Sequence, residues 1–421
     1  MKETKHAWIV TESQHVHVRV WGITPAERLR RTLCAAEIAN DHISIGPTLE
    51  AVPVSGSLLL FRSDYVFDER LVRALVTSTD TVLVTPSTTN DSEKTVAAHV
   101  TAPHVATATA LLNSRSFARE DAAELHLVRP TDLVPAYTAT LRKTDPPYVF
   151  AVQPENLAEI EARIFAASYK GITDLVTKWV WPRPARVVTR WCANTGITPN
   201  AITFLSWVLV VLVTWLFLRG DFGLGLILAW LMTFLDTVDG KLARVTLTSS
   251  RIGHVLDHGL DILHPPFWYL AWSMGLLLSP DGGALSADSN VAAWLRPAGL
   301  ITVVGYIVGR LIEGLFMLLF KMEIHCWQPI DAFFRTITAR RNPNLLLLSA
   351  ATLVGRPDVG LVLVALWTLL SIVFHTVRVL QALAQRLRGQ SIAAVWQDTS
   401  GSPALATEAM GKLQRQPESA A

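Results

Sequence analysis

Long apolar segments dominate the second half of the chain. Between Ala201 and Leu383, several blocks rich in Leu, Val and Trp approach the length of about 20 residues that a helix needs to cross a bilayer. We predict about six spans, at residues 200–218, 222–238, 253–278, 298–320, 345–354 and 359–383. The fifth is too short to cross alone, so it is either extended by its neighbours or partly re-entrant. The sequence therefore predicts an integral membrane protein.

The first half has the composition of a soluble domain. Short β-like runs at residues 7–10, 58–61 and 81–85 alternate with helical patterns at 25–39 and 69–76, which is typical of an α/β domain with a largely parallel sheet. We expect an α/β domain at 1–150, a linker with an interfacial amphipathic juxtamembrane helix at 151–197, an all-α membrane bundle at 198–388 and a disordered tail at 389–421. The juxtamembrane helix is expected to be broken at Pro182 and Pro184.

Charge and cysteine content exclude several classes of protein. The net charge of +2 is too small to indicate nucleic-acid binding. Lys and Arg lie before the first span and after the second and fourth spans, whereas residues 279–290 are acidic and Gly-rich, which predicts that both termini are cytosolic. Three scattered cysteines without CxxC spacing indicate neither a disulfide framework nor a zinc site. With no signal-peptide core at the N-terminus, the expected location is the bacterial inner (plasma) membrane.

Four aspartates lie at the predicted cytosolic connection between the second and third spans. Asp236 and Asp239 are three residues apart and Asp257 and Asp261 are four apart, so each pair shares one helix face. A charged side chain inside a bilayer costs about 2.5–3.5 kcal/mol on insertion scales, and four neighbouring carboxylates also repel each other. Bound cations would offset both costs. Oxygen ligands favour Mg²⁺ or Mn²⁺, and two such ions about 4 Å apart suit displacement at phosphorus.

Residues 236–261 follow the pattern D-x2-D-G-x2-A-R-x8-G-x3-D-x3-D, which resembles the signature of the CDP-alcohol phosphotransferase family at every position. The resemblance implies that a phosphate-bearing group moves from a CDP-linked donor to an alcohol, and that CMP leaves. It implies that Asp236, Asp239 and Asp257 hold metal, with Asp257 bridging two ions. Asp261 would contact the second ion and take the proton of the attacking hydroxyl. Relatives commonly work as homodimers.

The same resemblance suggests residues that bind the cytidine nucleotide. Gly240 and Ala243 lack bulk where the nucleotide lies against the helix in the family, and Arg244 offers a forked donor to its phosphates. Ser250 occupies a position where relatives often place a hydroxyl, although the two preceding hydroxyl residues are alternatives. Asn200 belongs to a Thr-Pro-Asn segment found ahead of the first span in the family. It either reaches the nucleotide or belongs to an ordinary helix N-terminus.

Further charged residues lie within the predicted spans. Arg310 and Glu313 are three residues apart, and we consider both a buried salt bridge and an acceptor-phosphate site that uses Arg310. His375 and Arg378 are expected to form a similar pair.

The donor could be CDP-diacylglycerol or a soluble CDP-polyol, and the acceptor inositol phosphate, glycerol phosphate or another alcohol. The alternative function is a non-enzymatic or transporter-like protein that binds metal or nucleotide, which leaves the Gly240 and Arg244 matches unexplained.

The N-terminal domain resembles a degenerate sugar-phosphate nucleotidyltransferase, as found in bifunctional enzymes that make a CDP-inositol and then di-myo-inositol phosphate phosphate. Residues 22–33 resemble the helix after the signature loop of those enzymes, and Asp64 resembles a metal ligand at a strand end. No Gly-rich, basic turn that could hold a triphosphate lies between Trp8 and Trp21. The domain is therefore expected to make no CDP-alcohol and to act as a scaffold, dimerisation or regulatory element.

Overall fold

The computed structural model describes residues 5–11, 17–47, 56–86, 93–114, 124–138, 140–249, 251–278 and 289–394. The chain divides into two compact units. The first unit comprises Met1–Thr138, Thr144–Tyr169 and Arg244–Thr248, and the second comprises Ala139–Lys143, Lys170–Ala243 and Ser249–Ala421. The first unit contains an α/β fold with a sheet and the second is helical, which confirms the predicted order of the two fold classes.

The strands are β1 (Lys5–Val10), β2 (Ile43–Gly46), β3 (Ser57–Arg62), β4 (Tyr65–Phe67), β5 (Thr81–Pro86), β6 (Glu93–Thr101), β7 (His126–Val128), β8 (Tyr137–Thr138), β9 (Lys143–Thr144) and β10 (Val149–Ala151). Six of them form one sheet in the order β2-β1-β3-β6-β5-β7, and β4 pairs with β10. The three predicted β runs lie within β1, β3 and β5.

The sheet is mixed, so the prediction of a largely parallel sheet is only partly right. β1 runs parallel to β2 and β3, and β5 runs parallel to β7, but β6 is antiparallel to both β3 and β5. Only residues 87–92 separate β5 from β6 in the sequence. That connection is too short for the crossover that a parallel pair requires, so β6 returns in the opposite direction.

Core packing in the first unit follows the alternation of side chains along β3. Leu59 and Phe61 join the buried cluster on one face of the sheet, whereas Leu58 and Leu60 join the cluster on the other. The helices of this unit are α1 (Pro25–Ala35), α2 (Glu69–Thr77), α3 (Val105–Asn113), α4 (Pro130–Leu133) and α5 (Leu157–Ala167). Both sheet faces are therefore buried, as a continuous apolar central strand requires.

The first unit also takes in a short segment from the middle of the sequence, Arg244–Thr248. Within this unit, Arg28 Nη1 donates to the carbonyl of Val245 at 2.5 Å and Arg31 Nη1 donates to the carbonyl of Thr246 at 2.7 Å. These carbonyls follow the last turn of a helix, where backbone acceptors have no intrahelical partner and favour cations. The two arginines of α1 therefore satisfy a helix C-terminus.

In the part of the second unit that the structure describes, the helices are α6 (Pro182–Thr195), α7 (Pro199–Leu218), α8 (Phe222–Val245), α9 (Arg251–Leu278), α10 (Ser289–Phe320), α11 (Pro329–Ile337), α12 (Arg341–Leu353) and α13 (Pro357–Leu387). Among the described residues, four stretches are long and apolar enough to cross a membrane, at Pro199–Leu218, Phe222–Val245, Ala293–Phe320 and Pro357–Leu387. Four of the six predicted spans thus coincide with candidate membrane helices. The third and fifth correspond to α9 and α12, and their crossing of the membrane stays a prediction.

The predicted juxtamembrane helix differs in detail. One turn of π-helix covers Val176–Val180, and α6 then begins at Pro182 with Pro184 in its first turn. The prolines start this helix rather than break it, because the first turn of a helix does not need their missing N–H groups. Val187 and Trp191 on α6 are exposed.

Aromatic packing fixes α9 within the second unit. Phe217 of α7 packs edge-on against Trp272 at a ring distance of 4.8 Å. Trp268 Nε1 donates to the carbonyl of Val210 at 3.2 Å, and Trp272 Nε1 donates to the carbonyl of Pro357 at 3.1 Å. A Cβ atom at Gly275 would lie 1.9 Å from the carbonyl oxygen of Phe217, so only glycine allows this approach. The helix that carries Asp257 and Asp261 is thus held by α7 and α13.

Candidate active site

Asp236 and Asp239 lie one turn apart on α8, and neighbouring helices orient both side chains. Thr203 of α7 donates its hydroxyl to Asp239 Oδ2 at 2.7 Å, and Asp239 is only 3% exposed. Arg341 at the start of α12 donates from Nη2 to Asp236 Oδ2 at 2.6 Å, and the Asp236 side chain is 8% exposed. Burial makes the ionised form of these carboxylates costly unless charge or hydrogen bonds offset it.

The same helix carries the small residues that were predicted to face a nucleotide. A Cβ atom at Gly240 would meet nothing within 4 Å, so this part of α8 has free space beside it. Ala243 is half-buried, one turn further along. Arg244 lies in the last turn of α8, and its Nη1 donates to the carbonyl of Ser168 at 3.0 Å.

The other predicted residues fall on α9, on α7 or outside the described residues. Asp257 and Asp261 occupy positions four apart on α9, and their side chains lie outside the described part of the chain, as does the whole of Ser250. Thr198 caps α7 by accepting from the amide of Ala201 at 3.3 Å, and Asn200 is exposed in the first turn. The Thr-Pro-Asn segment therefore forms a helix N-terminus, the structural alternative for this motif.

The start of α12 makes two further polar contacts that the sequence did not suggest. Asn342 Nδ2 donates to Asp174 Oδ1 at 2.9 Å, just before the π-helical turn. Asn344 Nδ2 donates to the hydroxyl of Tyr269 on α9 at 2.8 Å. Together with Arg341, these residues connect α12 to α8, to α9 and to the segment before α6.

A second polar site, here called the arginine pocket, is centred on Glu313 of α10. Its carboxylate pairs with the guanidinium groups of Arg310 and Arg340, and His325 Nε2 lies 3.4 Å from Glu313 Oε1. The predicted Arg310–Glu313 pair is thus present, with Arg340 as a third member. A small cavity is lined by Arg310, Glu313, Arg340 and His375 among others.

Arg335 of α11 adds a further positive charge near this pocket. Its Nε and Nη1 atoms are buried, and they have no hydrogen-bond partner among the described residues. Burial, followed by repulsion from Arg340, lowers the pKa of Arg335 to about 9. Burial also holds the pKa of His325 well below its usual range, so this imidazole is neutral at pH 7.

The expected pair of His375 and Arg378 is not what the structure shows. Arg378 instead forms a two-pronged ion pair with Asp331 of α11, at 2.6 and 2.8 Å, while His375 lines the arginine pocket. A carboxylate accepts both prongs of a guanidinium, whereas an imidazole offers one acceptor at most.

Two groups of residues have the chemistry to hold a metal ion. Donor atoms of Glu313, His325 and His375 lie within 4.8 Å of one another. A cation there would meet the two guanidinium groups that already pair with Glu313. Asp236 and Asp239 offer oriented carboxylate oxygens on one helix turn, which fit a hard divalent cation better.

Residues 196–339 match the family model described as CDP-alcohol phosphatidyltransferase. The chain is also similar to archaetidylinositol phosphate synthase of Pyrococcus horikoshii, with 37% identity over 129 residues, which are 29% of this chain and 68% of that protein. A bifunctional IPC transferase and DIPP synthase of Rubrobacter xylanophilus is 35% identical over 100 residues, which are 24% of this chain and 20% of that protein. The chain belongs to the CDP-alcohol phosphatidyltransferase family.

Membership confirms the family predicted from the aspartate signature. The protein is a membrane phosphotransferase that moves a substituted phosphate group from a CDP-linked donor to an alcohol, and the transporter-like alternative is not supported. Enzymes of this family depend on divalent metal. The matched residues include the four aspartates, Arg310 and Arg335.

Replacing Thr203 by Val removes the hydroxyl that orients Asp239 and keeps the shape of the side chain. We expect the Mg²⁺ concentration for half-maximal CMP release to rise by about tenfold, since groups that orient a ligand typically contribute this much. Thr214→Val is the matched control, because the Thr214 hydroxyl donates to the carbonyl of Val210 on the same helix. Equal Mg²⁺ dependence in the two variants would contradict the role of Thr203.

Proposed function

We propose that this enzyme transfers its phosphate-bearing group to an alcohol that itself carries a phosphate, with release of CMP. The observation that carries the proposal is Arg335, whose buried Nε and Nη1 lack hydrogen-bond partners among the described residues. A buried guanidinium without acceptors is costly, and a phosphate dianion supplies both charge and acceptor oxygens. The Pyrococcus relative is named for an inositol phosphate product, which supports an acceptor of this class.

The charge balance of the arginine pocket supports the same acceptor. Arg310, Arg335 and Arg340 bring three positive charges, and Glu313 and Asp174 supply two negative charges. His325 is neutral, so it adds no further positive charge. Guanidinium groups match the geometry of phosphate oxygens through paired N–H donors. We propose that Arg310, with Arg335 and Arg340, binds the acceptor phosphate.

The reaction centre is proposed to lie at the four aspartates. Asp236, Asp239 and Asp257 would hold two Mg²⁺ or Mn²⁺ ions, with Asp257 shared between them. Such ions neutralise charge that develops on the phosphoryl oxygens. Asp261 accepts the proton of the acceptor hydroxyl as its oxygen forms a new bond to phosphorus, and the bond between that phosphorus and the oxygen of CMP breaks.

The CDP moiety is proposed to lie along α8. The free space beside Gly240 supports this placement, because a base or ribose needs room against the helix backbone. Ala243, Arg244, Ser250 and Asn200 are proposed as further nucleotide contacts. The donor is either CDP-diacylglycerol or a CDP-polyol, and offering both in separate assays distinguishes them.

We further propose six spans, an interfacial α6, two cytosolic termini in the bacterial inner membrane, and a homodimer. The basic residues beside the candidate spans support the orientation. In the most apolar stretch of α10, only 11% of residues are buried, against 39–50% in the other three candidate spans. This leaves a face of α10 for lipid or for a second copy, and the mass of the detergent-solubilised protein distinguishes the two.

Asp261→Asn tests the reaction centre. With CDP-diacylglycerol or CDP-inositol as donor and inositol phosphate or glycerol phosphate as acceptor, we expect CMP release to fall by at least about 100-fold, because the base is lost. Asp221→Asn at the exposed start of α8 is the control and should keep its activity. Wild-type protein that releases CMP only with unphosphorylated alcohols would contradict the proposed acceptor class.

Arg335→Gln tests the acceptor site. We expect the KM for the phosphorylated acceptor to rise by about 10- to 100-fold, since a hydrogen bond to a charged group contributes about 1.5–3 kcal/mol, while the donor KM stays unchanged.

Arg386→Gln at the exposed end of α13 is the control and should behave as the wild type. A donor KM that rises as much as the acceptor KM would remove Arg335 from the acceptor site.

The N-terminal domain is proposed to be a degenerate nucleotidyltransferase that acts as a scaffold, dimerisation or regulatory element. We expect the full chain, incubated with CTP and inositol phosphate, glycerol phosphate or sugar phosphates, to release no pyrophosphate. The missing triphosphate-binding turn is the physical reason. Pyrophosphate release that persists in Asp261→Asn would show a second active site and overturn this proposal.

A further inference from the structure

Arg341 places a full positive charge on one of the proposed metal ligands. Its Nη2 lies 2.6 Å from Asp236 Oδ2, and the two side chains are 16% and 8% exposed. At this burial, solvent screens the pair far less than it would at the surface. The guanidinium therefore acts on the same carboxylate group that a cation at Asp236 would use.

The position of Arg341 is fixed by the residues that follow it. Asn342 is buried against Asp174, and Asn344 is buried against the hydroxyl of Tyr269. Both asparagines lie within the first turn of α12, so they hold the helix start on two sides. Arg341 is thus held beside Asp236 by contacts of the next residues with Asp174 and with Tyr269 of α9.

The physical consequence is a conflict between two cations. A divalent ion at Asp236 would share its ligand with a guanidinium and be repelled by it. The diphosphate of a CDP-linked donor removes this conflict, because its oxygens are ligands for divalent ions and acceptors for guanidinium groups. Metal and nucleotide should therefore bind better together than either binds alone.

We infer that Arg341 couples metal binding to nucleotide binding by keeping the affinity of the aspartates for divalent metal low until nucleotide phosphate is present. The inference rests on the proposed metal ligation by Asp236. Arg341 is a positioning residue, because it acts on the metal through its contact with Asp236. Such coupling would keep the acidic site from holding metal tightly when no donor is bound.

Mn²⁺ affinity, measured from the free-ion electron paramagnetic resonance signal of purified full-length protein in nanodiscs, tests this inference. CMP serves as the nucleotide probe. We expect CMP to raise the Mn²⁺ affinity of the wild type by about tenfold, within the usual range of coupling between two sites. Arg341→Gln should bind Mn²⁺ about tenfold more tightly without CMP and gain less than about threefold from its addition.

The controls separate this inference from the proposed function. Arg219→Gln makes the same charge change at the exposed end of α7 and should match the wild type. Arg341→Lys keeps the charge and should retain the effect of CMP. Undetectable Mn²⁺ binding in every protein, or binding unchanged in Asp236→Asn, would overturn the metal site itself.

Two results overturn the role of Arg341 while leaving the metal site intact. In the first, CMP does not change the Mn²⁺ affinity of the wild type. In the second, Arg341→Gln has the same Mn²⁺ affinity as the wild type, both with and without CMP. The first needs only wild-type protein, so it decides the question even if the variant does not fold.

Discussion

The structure of the active site depends on how two buried carboxylates of α8 are held. The contact to Asp239 comes from the hydroxyl of Thr203, which orients the group and leaves its negative charge in place. The contact to Asp236 comes from the guanidinium of Arg341, which orients the group and offsets its charge. Two carboxylates one turn apart are thus oriented by groups of different charge, a hydroxyl at Asp239 and a guanidinium at Asp236.

The two polar sites of the second unit have opposite electrostatic character. The aspartate site concentrates carboxylates, while three arginines, Arg310, Arg335 and Arg340, outnumber the acidic residues at the arginine pocket. A phosphotransferase that acts on a phosphorylated alcohol needs both, because metal must neutralise the reacting phosphate and a separate cation must hold the acceptor phosphate. Glu313 keeps the pocket from carrying its full positive charge, which limits the cost of burying three guanidinium groups.

Sequence patterns predicted the parts that local chemistry determines. The family was predicted from the spacing of the aspartates, and four candidate spans from length and apolar content. β6 was missed because Glu93–Thr101 starts with charged residues and contains two alanines, so its strand character comes from pairing with β3 and β5. From the sequence, Arg335 and Arg341 were counted among the basic residues that set the orientation of a span. Nothing local distinguishes a basic residue in solvent from one that faces a buried acid or pocket.

The shortness of α12 explains how polar residues reach the centre of the site. Its 13 residues extend about 20 Å, whereas the apolar core of a bilayer is about 30 Å thick. A full-length span would place its polar first turn at the membrane surface. Here Asn342 and Asn344 are buried, and Arg341 reaches Asp236. The sequence showed that this segment is too short to cross alone. In the structure, the polar start of this short helix contacts both aspartate-bearing helices.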